Sequence, residues 1–317
     1  MFDRKACCTL AFAAAAMLAA VPMGRAQETV TAHVLVTAIT RPEQTPGTVP
    51  RASVSVFQDG KRQDVSSWIP LRGDRADLEL VILMDDSSRS TIGLHLGELK
   101  KFIRDAPAST SIAVGYMRHG SPNLVQKLTT NHEAAAGALR QPLAQPGINA
   151  SPYLCLSDLI KHWPGRQSSA RREVIMVTDG ADPAWGRGYD PQDSYVLTAI
   201  RDAQRAGVIV YSIYYAGAGL GGHGFSANIA GQNYLNQVSA GTGGEAYFQG
   251  FSDPISLQPF LGDIQRKLQN QYELAFITNP SRQLRRISVK TTAPNVKLLS
   301  PQQIAATPSN SRGANLL

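Results

Sequence analysis

The chain has 317 residues, 43% hydrophobic and 17% charged, with a formal charge of +7. That balance fits one large globular domain, or one domain with a small companion, and excludes wholesale disorder. The basic run Arg282, Arg285, Arg286, Lys290 has no interleaved aromatics, so it reads as a solvated strand face and not as a nucleic-acid surface.

Residues 1–26 read as a secretory signal. Arg4 and Lys5 form a positive start, Ala6 to Val21 is uncharged and apolar, and Pro22 breaks it before the small-residue exit Gly24-Arg25-Ala26. Cleavage after Ala26 removes Arg4, Lys5, Arg25 and Asp3, leaving a mature charge near +5, and it removes Cys7 and Cys8. Cys155 then remains alone, so the mature fold rests on its core and not on a disulfide. No second apolar run of membrane-spanning length follows, so the expected location is periplasmic or secreted.

From residue 27 to 76 the pattern is β-like. His33–Val36 and Ala52–Phe57 read as strands, Asp59-Gly60 as a hairpin turn, and Arg41 to Pro50 as a loop. Between residues 77 and 270 strands and helices alternate. Strand Leu80–Met84 leads to a helix over Ile92–Arg104. Strand Ile112–Met117, a helix over His132–Leu139 and a helix over Pro152–Trp163 follow. Strand Val174–Val177 precedes a helix over Tyr195–Ala206 that stops at Gly207. Strand Val208–Tyr214, a short helix around Tyr234–Ala240 and strand Glu245–Phe248 complete the series. This βαβα order predicts a mainly parallel α/β sheet covered by helices on both faces. A helix from Pro254 to Gln271 comes next. Strands Tyr272–Ile277, Arg286–Thr291 and Val296–Leu299, in the segment 271–305, are expected to rejoin the first β segment as a small appendage. Residues 306–317 are expected to be a disordered tail.

The chemistry concentrates where strands end. Val81-Ile82-Leu83-Met84 runs into Asp85-Asp86-Ser87-Ser88-Arg89-Ser90, and Val174–Thr178 runs into Asp179-Gly180. Buried strands of this kind deliver their last residues to the C-terminal edge of the sheet, where open α/β sheets bind ligands. Asp86, Ser88 and Ser90 have the spacing Asp-x-Ser-x-Ser. Ser151, before Pro152, offers a hydroxyl from a third loop and doubles as a helix N-cap. Asp86, Ser88, Ser90, Ser151 and Asp179 make an all-oxygen set suited to Mg²⁺, or to Mn²⁺ or Ca²⁺. The register is open by one residue, since Asp85 directly follows the strand and Asp85 with Ser87 is the alternative. The loop Trp185, Arg187, Tyr189 has the composition of a binding rim, or equally of a cap on the sheet edge.

These motifs, with the late segments Ala206–Ile213 and Gly241–Ala246, resemble the von Willebrand factor type A (VWA) family over about residues 77–268. The flanking β segments resemble a bacterial exported subgroup labelled VWFA-related. The resemblance implies a Rossmann-like fold and a metal-ion-dependent adhesion site formed by Asp86, Ser88, Ser90, Ser151 and Asp179. A partner protein's Asp or Glu would complete the ion's coordination, with no catalysis. Arg89 departs from the pattern, and its guanidinium offers an alternative occupant of the ion's place, paired with Asp86 or Asp179. Two other functions compete: hydrolysis of a phosphate ester with the same carboxylates, and a structural protein with a vestigial site. Gly217-Ala218-Gly219-Leu220-Gly221-Gly222 contains Gly-x-Gly-x-x-Gly, but it lies late in the chain and opens no helical pattern, so it reads as a loop and not as a dinucleotide site. The six His residues lack metal-pair spacing.

Overall fold

The structure, a computed structural model, describes residues 29–40, 48–145, 148, 150–166, 170–182, 188–217 and 225–306. The secretory signal, the glycine-rich motif beyond Gly217, and Trp185 and Arg187 lie outside these residues.

In chain order the elements are β1 (Val30–Thr40), β2 (Val54–Gln58), β3 (Lys61–Gln63), β4 (Val65–Pro70), β5 (Leu78–Asp85), α1 (Leu96–Arg104), β6 (Thr110–Arg118), β7 (Ser121–Thr129), α2 (His132–Gly137), α3 (Pro152–Lys161), β8 (Arg171–Thr178), α4 (Ser194–Ala206), β9 (Val208–Tyr214), α5 (Phe225–Thr242), β10 (Ala246–Tyr247), α6 (Gln258–Gln269), β11 (Gln271–Thr278), β12 (Ser281–Thr291), β13 (Val296–Leu299) and β14 (Gln303–Ala306).

β5 is buried along its whole length, as a central strand covered on both faces must be. It sits between β6 and β8 in a six-stranded sheet ordered β10-β9-β8-β5-β6-β7, in which β7 is antiparallel to β6 and every other pairing is parallel. Side chains alternate across it. Leu80, Ile82 and Met84 pack with Leu99, Phe102, Ile103 and Ile264 beneath α1, α2 and α6. Val81 and Leu83 pack with Leu156, Leu159, Ala199 and Leu235 beneath α3, α4 and α5. Local chemistry sets the helix ends. The Asp193 carboxylate accepts from the Tyr195 and Val196 amides, both at 2.9 Å, at the start of α4, and Gly207 closes that helix at φ 65°.

The flanking segments build more than a small appendage. Two four-stranded antiparallel sheets, β13-β1-β11-β4 and β14-β12-β2-β3, share one core of Val34, Val36, Trp68, Leu274 and Phe276 from the first with Val56, Ile287, Val289 and Ile304 from the second. The result is a β-sandwich with inner faces packed together. Trp68 stacks on Tyr272 at 4.4 Å and donates its indole N–H to the Val49 carbonyl. The expected hairpin turn is present, with Asp59 and Gly60 both at positive φ (49° and 80°), the geometry of a type I′ turn.

Several elements differ from expectation. β3, β4, β7 and β14 are additional strands, and Ala306 belongs to β14 and is buried, not part of a tail. α5 has 18 residues and is much longer than the short helix expected around Tyr234–Ala240. The helix expected over Ile92–Arg104 begins as a 3₁₀ segment, Ser90–His95, before α1.

Candidate functional site

The connection from β5 runs outward through α1 to β6, while β8 lies on the other side of β5 with α3 on the opposite face. The topological switch point therefore falls between the C-terminal ends of β5 and β8, where open α/β sheets place their ligands. Asp85 closes β5 and Asp179 follows β8, so both carboxylates come to this crevice.

Asp85 is fully buried and continues the side-chain alternation of Val81 and Leu83. Thr178 donates its hydroxyl to Asp85 Oδ2 at 2.6 Å. Ser87 donates both its amide (2.8 Å) and its hydroxyl (2.6 Å) to Oδ1. Burial and then the charge of Asp179 push the Asp85 carboxyl up to about 6, against the hydrogen bonds that lower it. Asp179 accepts the Ala181 amide at 2.9 Å.

The loop carrying Asp179 is braced from two helices. Tyr153 on α3 donates its buried hydroxyl to the Gly180 carbonyl at 2.7 Å. Gly231 on α5 lies so close that a Cβ there would stand 2.2 Å from the Asp179 carbonyl oxygen. Gly180, at φ 67°, completes this glycine-to-glycine approach. Ser151 caps α3 as expected, accepting from the Leu154 amide, and donates its hydroxyl to Asp182 Oδ2 at 2.8 Å. Asp182 and Thr178 are the contributors that motif reading missed.

Asp86 turns to the other face of the sheet, and this corrects the favoured register. Its buried carboxylate lies in the fork of Arg140, with Nη1 to Oδ1 at 2.7 Å and Nη2 to Oδ2 at 2.8 Å. It also accepts the Leu143 amide at 3.1 Å. Arg118 Nε stands 3.4 Å away, and the Arg140 guanidinium covers the Tyr116 ring at 3.8 Å. The arginine that neutralises the motif is thus Arg140. Arg89 instead donates Nε to the Gly217 carbonyl at 3.1 Å and its amide to the Ala216 carbonyl.

Ser88 is buried, and its hydroxyl has no hydrogen-bond partner among the described residues; Ser90 is exposed. The set Asp86, Ser88, Ser90, Ser151, Asp179 therefore does not gather as a unit, because Asp86 is committed to Arg140. Of the rim residues, Tyr189 is half exposed and packs against Tyr234 of α5, with ring centroids 5.1 Å apart.

A hard divalent cation requires oxygen donors, partly anionic, on several loops. Asp85, Ser87, Ser151 and Asp179, the shifted register, carry oxygen donors of that kind on three loops at the sheet's edge. Among the described residues no three of His, Cys, Asp and Glu form a metal-holding group, so this set relies on two carboxylates and hydroxyls.

The central unit is a Rossmann-like, mostly parallel sheet clothed by helices on both faces, with acid-and-hydroxyl loops at its C-terminal edge. A β-sandwich built from the two ends of the described chain flanks that unit. No protein-family model matches the chain, and no curated protein does. Among solved structures it is similar to BatB from Bacteroides thetaiotaomicron, at 10% identity over 60% of this chain and 97% of that one, with a TM-score of 0.45. It is also similar to the SpRpn10 VWA domain, at 13% identity over 59% and 94%, with a TM-score of 0.40. The pilus adhesin SpaC from Lactobacillus rhamnosus GG matches at 8% identity over 74% and 44%, with a TM-score of 0.44. Among the described residues no helix is long and apolar enough to cross a membrane.

Proposed function

We propose that the protein is an exported binding module whose switch-point crevice engages an acidic group of a partner protein through a divalent cation, Mg²⁺ in the first instance. Asp85, Ser87, Ser151 and Asp179 would hold the cation. Bound there, it supplies a positive centre with coordination left for an Asp or Glu of the partner. The observation supporting this reading is the delivery of Asp85 and Asp179 to one buried crevice, where burial and then the Asp179 charge raise the Asp85 carboxyl. The protein's own groups position the donors. Thr178 holds Asp85, Tyr153 and the Gly180–Gly231 approach hold the Asp179 loop, and Asp182 orients Ser151.

Calorimetry with Mg²⁺ and Mn²⁺ on the mature chain tests this. Binding heat is expected, abolished by Asp179→Ala and by Asp85→Asn. Absence of heat, or heat indifferent to both substitutions, sinks the cation. Turnover of a generic phosphate ester in the presence of Mn²⁺ would favour the hydrolytic use of the same carboxylates.

A further inference from the structure

The positive charge of the chain is segregated. The described segments 29–40, 48–76 and 271–306, which form the sandwich, hold 10 Lys and Arg against 4 Asp and Glu, a net of +6; the sequence from 77 to 270 holds 16 against 17, a net of −1. Such asymmetry between two parts of one chain signals an interaction surface.

Three of these cations share the outer face of the sheet β14-β12-β2-β3. Ile287 and Val289 of β12 point into the core, so Arg286, Ser288 and Lys290 point outward, and all three are exposed. Phe57 of β2 pairs with Ser288 on one side and with Arg62 of β3 on the other. Arg286 and Lys290 are thus roughly 13 Å apart along the strand, and Arg62 lies roughly 10 Å across the sheet from Ser288. Lys290 reaches back over the half-buried Phe57 ring at 5.3 Å. Arg62, Arg286 and Lys290 form no ion pair among the described residues. The carboxylate beside them, Asp59, is bonded to the Arg285 guanidinium at 2.7 Å and the Arg286 amide at 3.1 Å. Phe57, Arg286, Ser288, Lys290 and Gln303 line one shallow open groove.

We infer that this face binds a linear anionic polysaccharide, its carboxylates paired to Arg62, Arg286 and Lys290 and its chain lying along the groove. Complementary charge identifies the ligand as a polyanion, and the rest of the face selects the kind. No large apolar side chain is exposed on β2, β3, β12 or β14, so there is no anchor for a protein hot spot or for insertion into a bilayer. The single ring is covered by Lys290, so bases have no stacking platform. A flat, polar, cationic surface suits a hydrated, extended, charged polymer. The inference is independent of any cation in the switch-point crevice.

The test measures binding of the mature chain to alginate, a carboxylate polysaccharide, with neutral dextran, anionic phosphatidylglycerol vesicles and duplex DNA as parallel arms. Binding to alginate is expected, weakened by salt, with none to dextran. Arg62→Gln/Arg286→Gln/Lys290→Gln together should lower alginate affinity at least tenfold. Ser288→Glu, which places a carboxylate amid the three cations at an exposed position, should do so independently. Asp179→Ala should leave it unchanged. The inference falls if alginate does not bind, if both variants bind it like the parent, or if vesicles or DNA bind more tightly than alginate.

Discussion

Asp85 leans over the α3–α4–α5 face of the sheet among hydroxyls and a second carboxylate; Asp86 leans over the α1–α2–α6 face into the fork of an arginine. One peptide bond separates them, and the pleat sends them apart. Asp86 meets a resident cation contributed by the chain and is tied into the fold by it. Asp85 shares its surroundings with another acid, so its charge depends on what enters the crevice. Of two adjacent carboxylates, one is held by an arginine and the other by hydroxyls beside a second acid, and the pleat decides which.

Substitutions can break that contrast. Asp86→Ala should have the largest effect, about 3 kcal/mol of lost stability, because it removes a buried carboxylate that pairs the partly exposed Arg140 guanidinium and accepts the Leu143 amide. Urea unfolding would read this as a lowered midpoint, and an unchanged midpoint would remove Asp86 from the structural role. Asp85 should behave in the opposite sense with pH. Its folded value of about 6 lies above the ordinary 3.8, so the folded state binds more protons between those values. The stability it contributes is full below about 3.8 and is lost as pH rises through about 6, a total on the order of 3 kcal/mol. In chelator, Asp85→Asn should flatten this part of the stability-versus-pH curve; a profile identical to the parent's would refute the raised carboxyl. Gly231→Ala should cost about 2 kcal/mol by forcing α5 away from the Asp179 loop, and it should weaken cation binding more than Asp86-side contacts. The smallest effect is expected of Ser151→Ala, about 1 kcal/mol from the lost cap of α3, measurable as a small shift in thermal midpoint.

Much of this organisation is legible in the sequence, where burial imposes a pattern. The strands of the central sheet appear as apolar runs because both faces are covered. α3 and α4 are bounded by Ser151 and Gly207, whose side-chain or backbone chemistry is local. β7 is harder to read, because as an edge strand it carries Pro122, Asn123, Gln126 and Lys127 with alternating exposure. α5 is obscured by Gly231, Gly241 and several Asn and Ser residues, and its apolar positions do not fall into one stripe. The sandwich's size is hidden because its halves lie at opposite ends of the chain. The site is half legible. Asp179 and Ser151 stand in the expected loops, but the choice between Asp85 and Asp86 turns on Arg140, 54 residues away. The alternation Val81, Leu83, Asp85 was the available clue.

The pairing of β1 with β11 carries a consequence for the order of assembly. His33 meets Glu273 across 240 residues of chain, and the whole central sheet lies between them. During vectorial synthesis the α/β unit has all its strands in hand before β11 emerges, whereas β1 must wait for a partner made some 240 residues later. The sandwich therefore closes last, and until then β1 to β4 wait as an open half whose inner face lacks its covering strands.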